Sequence, residues 1–141
     1  MTINNKDYII VIIETCEEDD YQNMFEMSIF YGEGFLLVFA INDKDSFKCL
    51  NQKRERILKV KKGNFVPMVL VGNKQDLSNE RTVSYEEAKQ LANSWGIEYI
   101  ETSALVQTKF NYKEPFEKLS LKLVSTRIKP KNSSCFNCLI Y

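Results

Sequence analysis

The sequence has no histidine, and its net charge is zero, with 19 Lys+Arg against 19 Asp+Glu. Each absence removes a class of function. Without histidine, a structural metal site would have to gather several cysteines. Of the four cysteines, Cys135 and Cys138 form a lone Cys-x-x-Cys pair, while Cys16 and Cys49 are far away in sequence. No metal site is expected, and Cys16 and Cys49 read as small buried or half-buried residues. Charge balance leaves no global field to steer the chain to nucleic acid. The longest uninterrupted apolar run, residues 35–41, is far below bilayer-spanning length. Residues 1–7 are polar and the apolar run after them is too short for a secretory signal, so a cytoplasmic protein with reduced thiols is the expectation. There is no internal repeat and no low-complexity segment.

What remains is ordinary for one globular domain: 141 residues, 44% apolar and 27% charged. Residues 1–6 are polar, with a hairpin turn at Asn4-Asn5. Residues 8–13 form a β-branched buried strand, and 14–20 an acidic loop. Residues 21–30 read as a short helix, ended by Gly32 and Gly34. Residues 35–41 are a second continuous buried strand. Capping residues at 42–46 open a helix to about Lys62, with Phe47, Leu50, Ile57 and Leu58 inward. Its outer face, residues 53–62, is basic.

The most informative stretch is Met-Val-Leu-Val-Gly-Asn-Lys-Gln-Asp, residues 68–76. Four apolar residues between Pro67 and Gly72 have the length and composition of a central parallel strand. The loop after them presents Asn73, Lys74 and Asp76 at the strand's carboxyl end, where open α/β sheets bind ligands. Ser84 and Glu87 then form a capping box. Ala88, Leu91, Ala92 and Trp95 give a helical stripe that Gly96 closes. Residues 97–101 are a short strand, followed by Thr102-Ser103-Ala104. A last helix runs from Tyr112, with Pro115 in its first turn and Phe116, Leu119, Leu123 and Val124 inward; Pro130 stops it. Strands alternating with helices imply a parallel sheet covered on both faces.

Three segments together resemble the Ras family of small GTPases. Residues 32–47 are similar to its fourth strand and the next helix start. Residues 66–77, with Asn-Lys-x-Asp, are similar to its fifth strand and base-specificity loop, and Glu101-Thr102-Ser103-Ala104 to its second base-contacting loop. The resemblance implies a three-layer α/β fold of the P-loop NTPase type, with a mostly parallel sheet, and a guanine nucleotide (GTP or GDP) as ligand. The Asp76 carboxylate would accept from the guanine ring N–H and exocyclic amine at once. The Ala104 backbone N–H would contact the guanine carbonyl, and Asn73, Lys74 and Ser103 complete the base site. Adenine offers no matching pair of donors.

The departures from the family are equally specific. None of the five glycines (Gly32, Gly34, Gly63, Gly72, Gly96) belongs to a Gly-x-x-x-x-Gly-Lys-Ser/Thr phosphate loop. The chain reads as N-terminally truncated, starting late in the second strand and lacking the first strand, first helix and first switch. Where the family has Asp-Thr-Ala-Gly-Gln, this chain has Glu14-Thr15-Cys16-Glu17-Glu18. Glu17 and Glu18 would repel a γ-phosphate, or form a solvated acidic loop with no role; no catalytic residue is assigned, and Mg2+ is not expected. The family's Ser-Ala-Lys becomes Ser-Ala-Leu at Leu105. With the family's central first strand missing, residues 8–13 and 35–41 are expected to pair directly, with 21–30 as crossover helix.

The expected domain is an incomplete G domain over 1–130, followed by a flexible tail over 131–141. The tail ends Cys138-Leu139-Ile140-Tyr141, a C-a-a-X arrangement in position, although Tyr141 is not a usual final residue. Cys138 is the candidate prenyl site and Cys135 a candidate palmitoyl site. Arg127, Lys129 and Lys131 would favour the anionic cytoplasmic face of the plasma membrane. An inert tail and a Cys-x-x-Cys pair are the competing readings. The functional expectations are a membrane-associated Ras-like signalling protein with weak or absent nucleotide binding and hydrolysis, an inactive pseudo-GTPase interaction module, or a non-functional gene fragment.

Overall fold

The computed structural model describes residues 2–3, 5–14, 22–105, 112–126 and 135–140. The chain opens with a hairpin of β1 (Thr2–Ile3) and β2 (Lys6–Asp7), paired Thr2 with Asp7 and Ile3 with Lys6. Asn5 takes the left-handed conformation (φ 60°) that closes it. β3 (Ile9–Glu14) follows, then α1 (Gln22–Tyr31) and β4 (Gly34–Ala40). The expected long helix breaks at Cys49 into α2 (Lys44–Lys48) and α3 (Leu50–Val60). Asp43 caps α2, accepting from the Asp45 and Ser46 N–H groups. β5 (Met68–Asn73), a 3-10 turn over Gln75–Glu80, α4 (Tyr85–Trp95), β6 (Glu98–Glu101), α5 (Glu114–Thr126) and β7 (Cys135–Ile140) complete the order.

The five-stranded sheet has the order β3-β7-β4-β5-β6, every pair parallel. One face of β4 carries Phe35, Leu37 and Phe39 into a core with Ile29 of α1, Leu50 and Ile57 of α3, and Ala88 and Ala92 of α4. Its other face carries Leu36 against Leu119 and Leu123 of α5. Period-2 alternation thus gives a three-layer arrangement with helices on both faces.

The sheet corrects two expectations. β3 and β4 do not pair directly, because β7 lies between them. Residues 135–140 are therefore strand, not free tail. β7 matches β3 over all six residues, from Ile9 with Cys135 to Glu14 with Ile140, and β4 over Gly34–Leu36. Direct pairing would join β3 to β4 and leave the apolar C-terminal run in water. Inserting that run satisfies backbone groups on both edges and buries Cys138 completely.

Two smaller departures follow from local competition. Ser84 caps α4, accepting from the Glu87 N–H at 3.1 Å, but the Glu87 carboxylate pairs with Lys44 Nζ at 2.6 Å instead of closing the capping box. Cys49, expected to be at least half-buried, is exposed at the break between α2 and α3. Cys16 lies outside the described residues.

Candidate functional site

The site starts from β5, whose first five residues, Met68 to Gly72, are buried between β4 and β6. Gly72 is closely packed by side chains from the neighbouring strands and their ends. A Cβ there would sit 2.5 Å from the Tyr99 hydroxyl and 3.1 Å from Ile41 Cγ2, so the position takes only glycine without rearrangement. Beyond it, Lys74 adopts a left-handed conformation (φ 65°) that turns the chain out of the strand. The Gln75 N–H then donates to the Thr102 carbonyl at 3.0 Å, and the Thr102 N–H to the Gly72 carbonyl at 2.8 Å. These two backbone bonds latch the loop after β5 to the loop after β6.

The latch brings together residues that are distant in sequence. The buried Ser103 hydroxyl donates to the Asp76 carboxylate and accepts from the Leu105 N–H at 3.1 Å. An ionised carboxylate has about four lone-pair sites, so one hydroxyl leaves Asp76, at the surface, with capacity for two more donors. Asn73 is half-buried at the end of β5, and Lys74 and Ala104 are exposed beside it. All five predicted base-site residues therefore stand on adjoining loops at the carboxyl ends of β5 and β6. That arrangement places a carboxylate, an amide and the Ala104 backbone close together at one end of the sheet.

A bracing cluster that no sequence motif announces lies beneath these loops. Arg81 donates through Nη1 and Nη2 to the two Glu101 carboxylate oxygens, both at 2.8 Å, and through Nη1 to the Val83 carbonyl at 3.1 Å. The Tyr99 hydroxyl donates to the same carboxylate at 2.6 Å. Burial pushes the Glu101 carboxyl up, but the Arg81 and Tyr99 hydrogen bonds more than offset this and hold it below the usual range. Burial, then the Glu101 carboxylate, pushes the Tyr99 phenol well above its ordinary value. The only sequence signal was Glu101, the last residue of β6 and the first of the segment similar to the second base loop.

The remaining predicted residues lie elsewhere. Glu14 ends β3, three strands from β5, which at ~4.8 Å per step is about 14 Å away across the sheet. Glu17 and Glu18 lie outside the described residues. Cys138 is fully buried in β7, and its thiol is pushed up to about 11 by burial and by the Glu33 carboxylate. A buried, protonated thiol is a poor nucleophile, so the folded chain does not offer Cys138 for lipid attachment. The Cys135 side chain is outside what is described. Among the described residues, no cluster of three His, Cys, Asp or Glu could hold a metal, and no helix is long and apolar enough to cross a membrane. A cleft of about 310 Å3 lies at the opposite, amino-terminal end of the strands, between Phe65, Trp95 and Lys122, and shares no residue with the base loops.

Comparison with known proteins agrees with this geometry. A model of the Ras family matches residues 1–125. Protein ras-1 of Neurospora crassa is 45% identical over 106 residues, covering 75% of this chain and 50% of that protein. The chain spans about half the length of that curated relative.

Proposed function

The chain belongs to the Ras family of small GTPases, and from that membership we propose that it is a guanine-recognising signalling module with weak binding of GTP or GDP and weak or absent GTP hydrolysis. One observation carries the reading: Asp76, Ser103 and Ala104 are assembled by the two latched loops, while β7 occupies the position beside β3 and β4. The base half of a guanine nucleotide fits the residues present. The phosphate half has no counterpart among the residues present: the sequence contains no Gly-x-x-x-x-Gly-Lys-Ser/Thr loop. No hydrolytic step is assigned to any residue.

The expected affinity follows from the contacts. Hydrogen bonds to a charged group contribute roughly 1.5–3 kcal/mol each, so Asp76 with the Asn73 and Ala104 contacts supplies about 4–6 kcal/mol. A nanomolar complex needs about 12 kcal/mol. Binding therefore falls between roughly millimolar and high micromolar. Titration with a fluorescent guanine nucleotide tests this, with Asp76→Ala as control. Weak binding that Asp76→Ala abolishes supports the proposal; sub-micromolar affinity, or binding indifferent to Asp76, refutes it.

A second reading, a pseudo-GTPase that works through protein contacts alone, gains from the position of β7. A prenyl group on Cys138, and with it attachment to the cytoplasmic face of a membrane, requires that β7 leave the sheet. In the folded chain, signalling would run through surfaces such as α3. Its arginines already engage neighbours: Arg54 lies over the Trp95 ring, and Arg56 over the Phe25 ring, 3.8 Å from Glu26.

A further inference from the structure

β3 reaches the rest of the sheet through β7, and no other described strand joins it. The strand that holds the sheet together is thus the last element of the chain, connected to α5 by residues 127–134. Its seat is specific. Cys138 packs fully buried in the apolar layer of Leu36, Leu119 and Leu123. The Glu33 N–H donates to the Asn137 carbonyl at 2.7 Å, and Asn137 Nδ2 donates to the Tyr31 carbonyl at 3.4 Å. The pairing is also unequal: six register pairs on the β3 side and three on the β4 side.

Every one of these contacts joins the strand to the body of the domain. An identical strand arriving from another molecule makes the same contacts, and no new surface is required. When β7 is out, the facing edges of β3 and β4 are both open, and unpaired apolar edges recruit strands from other chains. A tether of this length gives its strand an effective concentration on the order of millimolar. Exchange between molecules therefore competes with closure within one molecule once refolding chains approach that concentration.

We propose that the slot between β3 and β4 is a strand-binding site that accepts Cys135–Ile140 of a second copy, giving a closed dimer in which each C-terminal strand completes the other copy's sheet. The dimer is isologous and leaves no slot empty. It is independent of nucleotide, so its fate and that of the guanine-binding proposal are read separately.

Register supplies the test. Ile12 stands opposite Cys138, so Ile12→Cys, with Cys16, Cys49 and Cys135 changed to Ser, leaves one cross-strand pair able to form a disulfide. The full-length chain is refolded from about 1 µM to about 500 µM, approaching the effective concentration of the tether, then oxidised and run on non-reducing gels. The expected result is an internally linked monomer at dilution and a disulfide-linked dimer whose share grows with concentration. Internal linkage alone at every concentration, or a dimer without the 12–138 link, overturns the proposal. If this variant does not fold, the unmodified chain is refolded over the same range and examined by sedimentation and by native mass spectrometry of isotopically mixed chains. Mixed dimers that persist on dilution are expected, and monomer throughout overturns the proposal.

Discussion

Replacing Cys138 with aspartate separates a free C-terminal tail from a central strand. The Cys138 side chain is fully buried among Leu36, Leu119 and Leu123, with the Glu33 carboxylate nearby. An aspartate placed there must lose its charge or remain ionised without a partner. Neutralising it at pH 7, about three pH units above its ordinary value, costs about 4 kcal/mol at 1.36 kcal/mol per unit. Keeping it charged costs more. Cys138→Asp should therefore remove at least about 4 kcal/mol, much of the 5–15 kcal/mol typical of a domain. With an m-value near 2 kcal/mol/M, the urea midpoint falls by about 2 M. The single tryptophan, Trp95, reports the transition by fluorescence. Cys49→Asp, at an exposed cysteine, is the control and should stay within about 0.5 kcal/mol. If Cys138→Asp matches that control, residue 138 is not in the core and the placement of β7 is wrong.

Other perturbations act on different parts of the molecule. Gly72→Ala should cost about 3 kcal/mol by displacing the Tyr99 hydroxyl from Glu101, and should weaken guanine-nucleotide binding in parallel; calorimetry and titration on the same sample check both. Arg81→Ala strands the nearly buried Glu101 carboxylate, with an expected loss of about 3 kcal/mol in chemical denaturation. Glu101 sits below its ordinary value of 4.5 when folded, so its stabilising contribution is present above that pH and lost as pH falls through the folded value; Arg81→Ala should abolish that acid-side slope. In a background with Cys16 and Cys135 changed to Ser, a thiol reagent should label Cys49 in the folded chain and Cys138 only after denaturant is added. The buried thiol's contribution is complete below its ordinary value of 9.0 and fades as pH rises toward 11, so stability should fall over that alkaline window.

The meeting of the candidate base-site residues at neighbouring strand ends was legible in the sequence because each segment's turn out of its strand is local. Asn73, Lys74 and Asp76 stand at and just after the end of an apolar strand, and Ser103-Ala104 stand just after the short strand Glu98–Glu101. Strand-to-loop transitions of that kind depend on near neighbours, and the two segments needed only a shared sheet to meet. The fifth strand was not legible for the opposite reason. Residues 135–140 hold two cysteines and Asn137 in a six-residue run, a pattern equally suited to a terminal tail with a modification signal. Their place in the sheet depends on pairing with Ile9–Glu14, more than a hundred residues earlier in the chain. The cluster of Arg81, Tyr99 and Glu101 escaped on similar grounds, since its ion pair spans 20 residues, from a loop to the end of β6. Glu87 shows a tertiary contact overriding a local motif: the capping box was correct for Ser84, but Lys44 took the carboxylate.

The Ras-like sheet here is completed by the chain's own strand Cys135–Ile140. Residue-resolved amide hydrogen exchange on the unmodified chain tests it most directly. Amides within Ile9–Glu14 and Cys135–Ile140 should be protected together, exchanging only through global unfolding like those of β4 and β5. Exchange of residues 135–140 at the rate of an unstructured peptide, with β4 still protected, would contradict it.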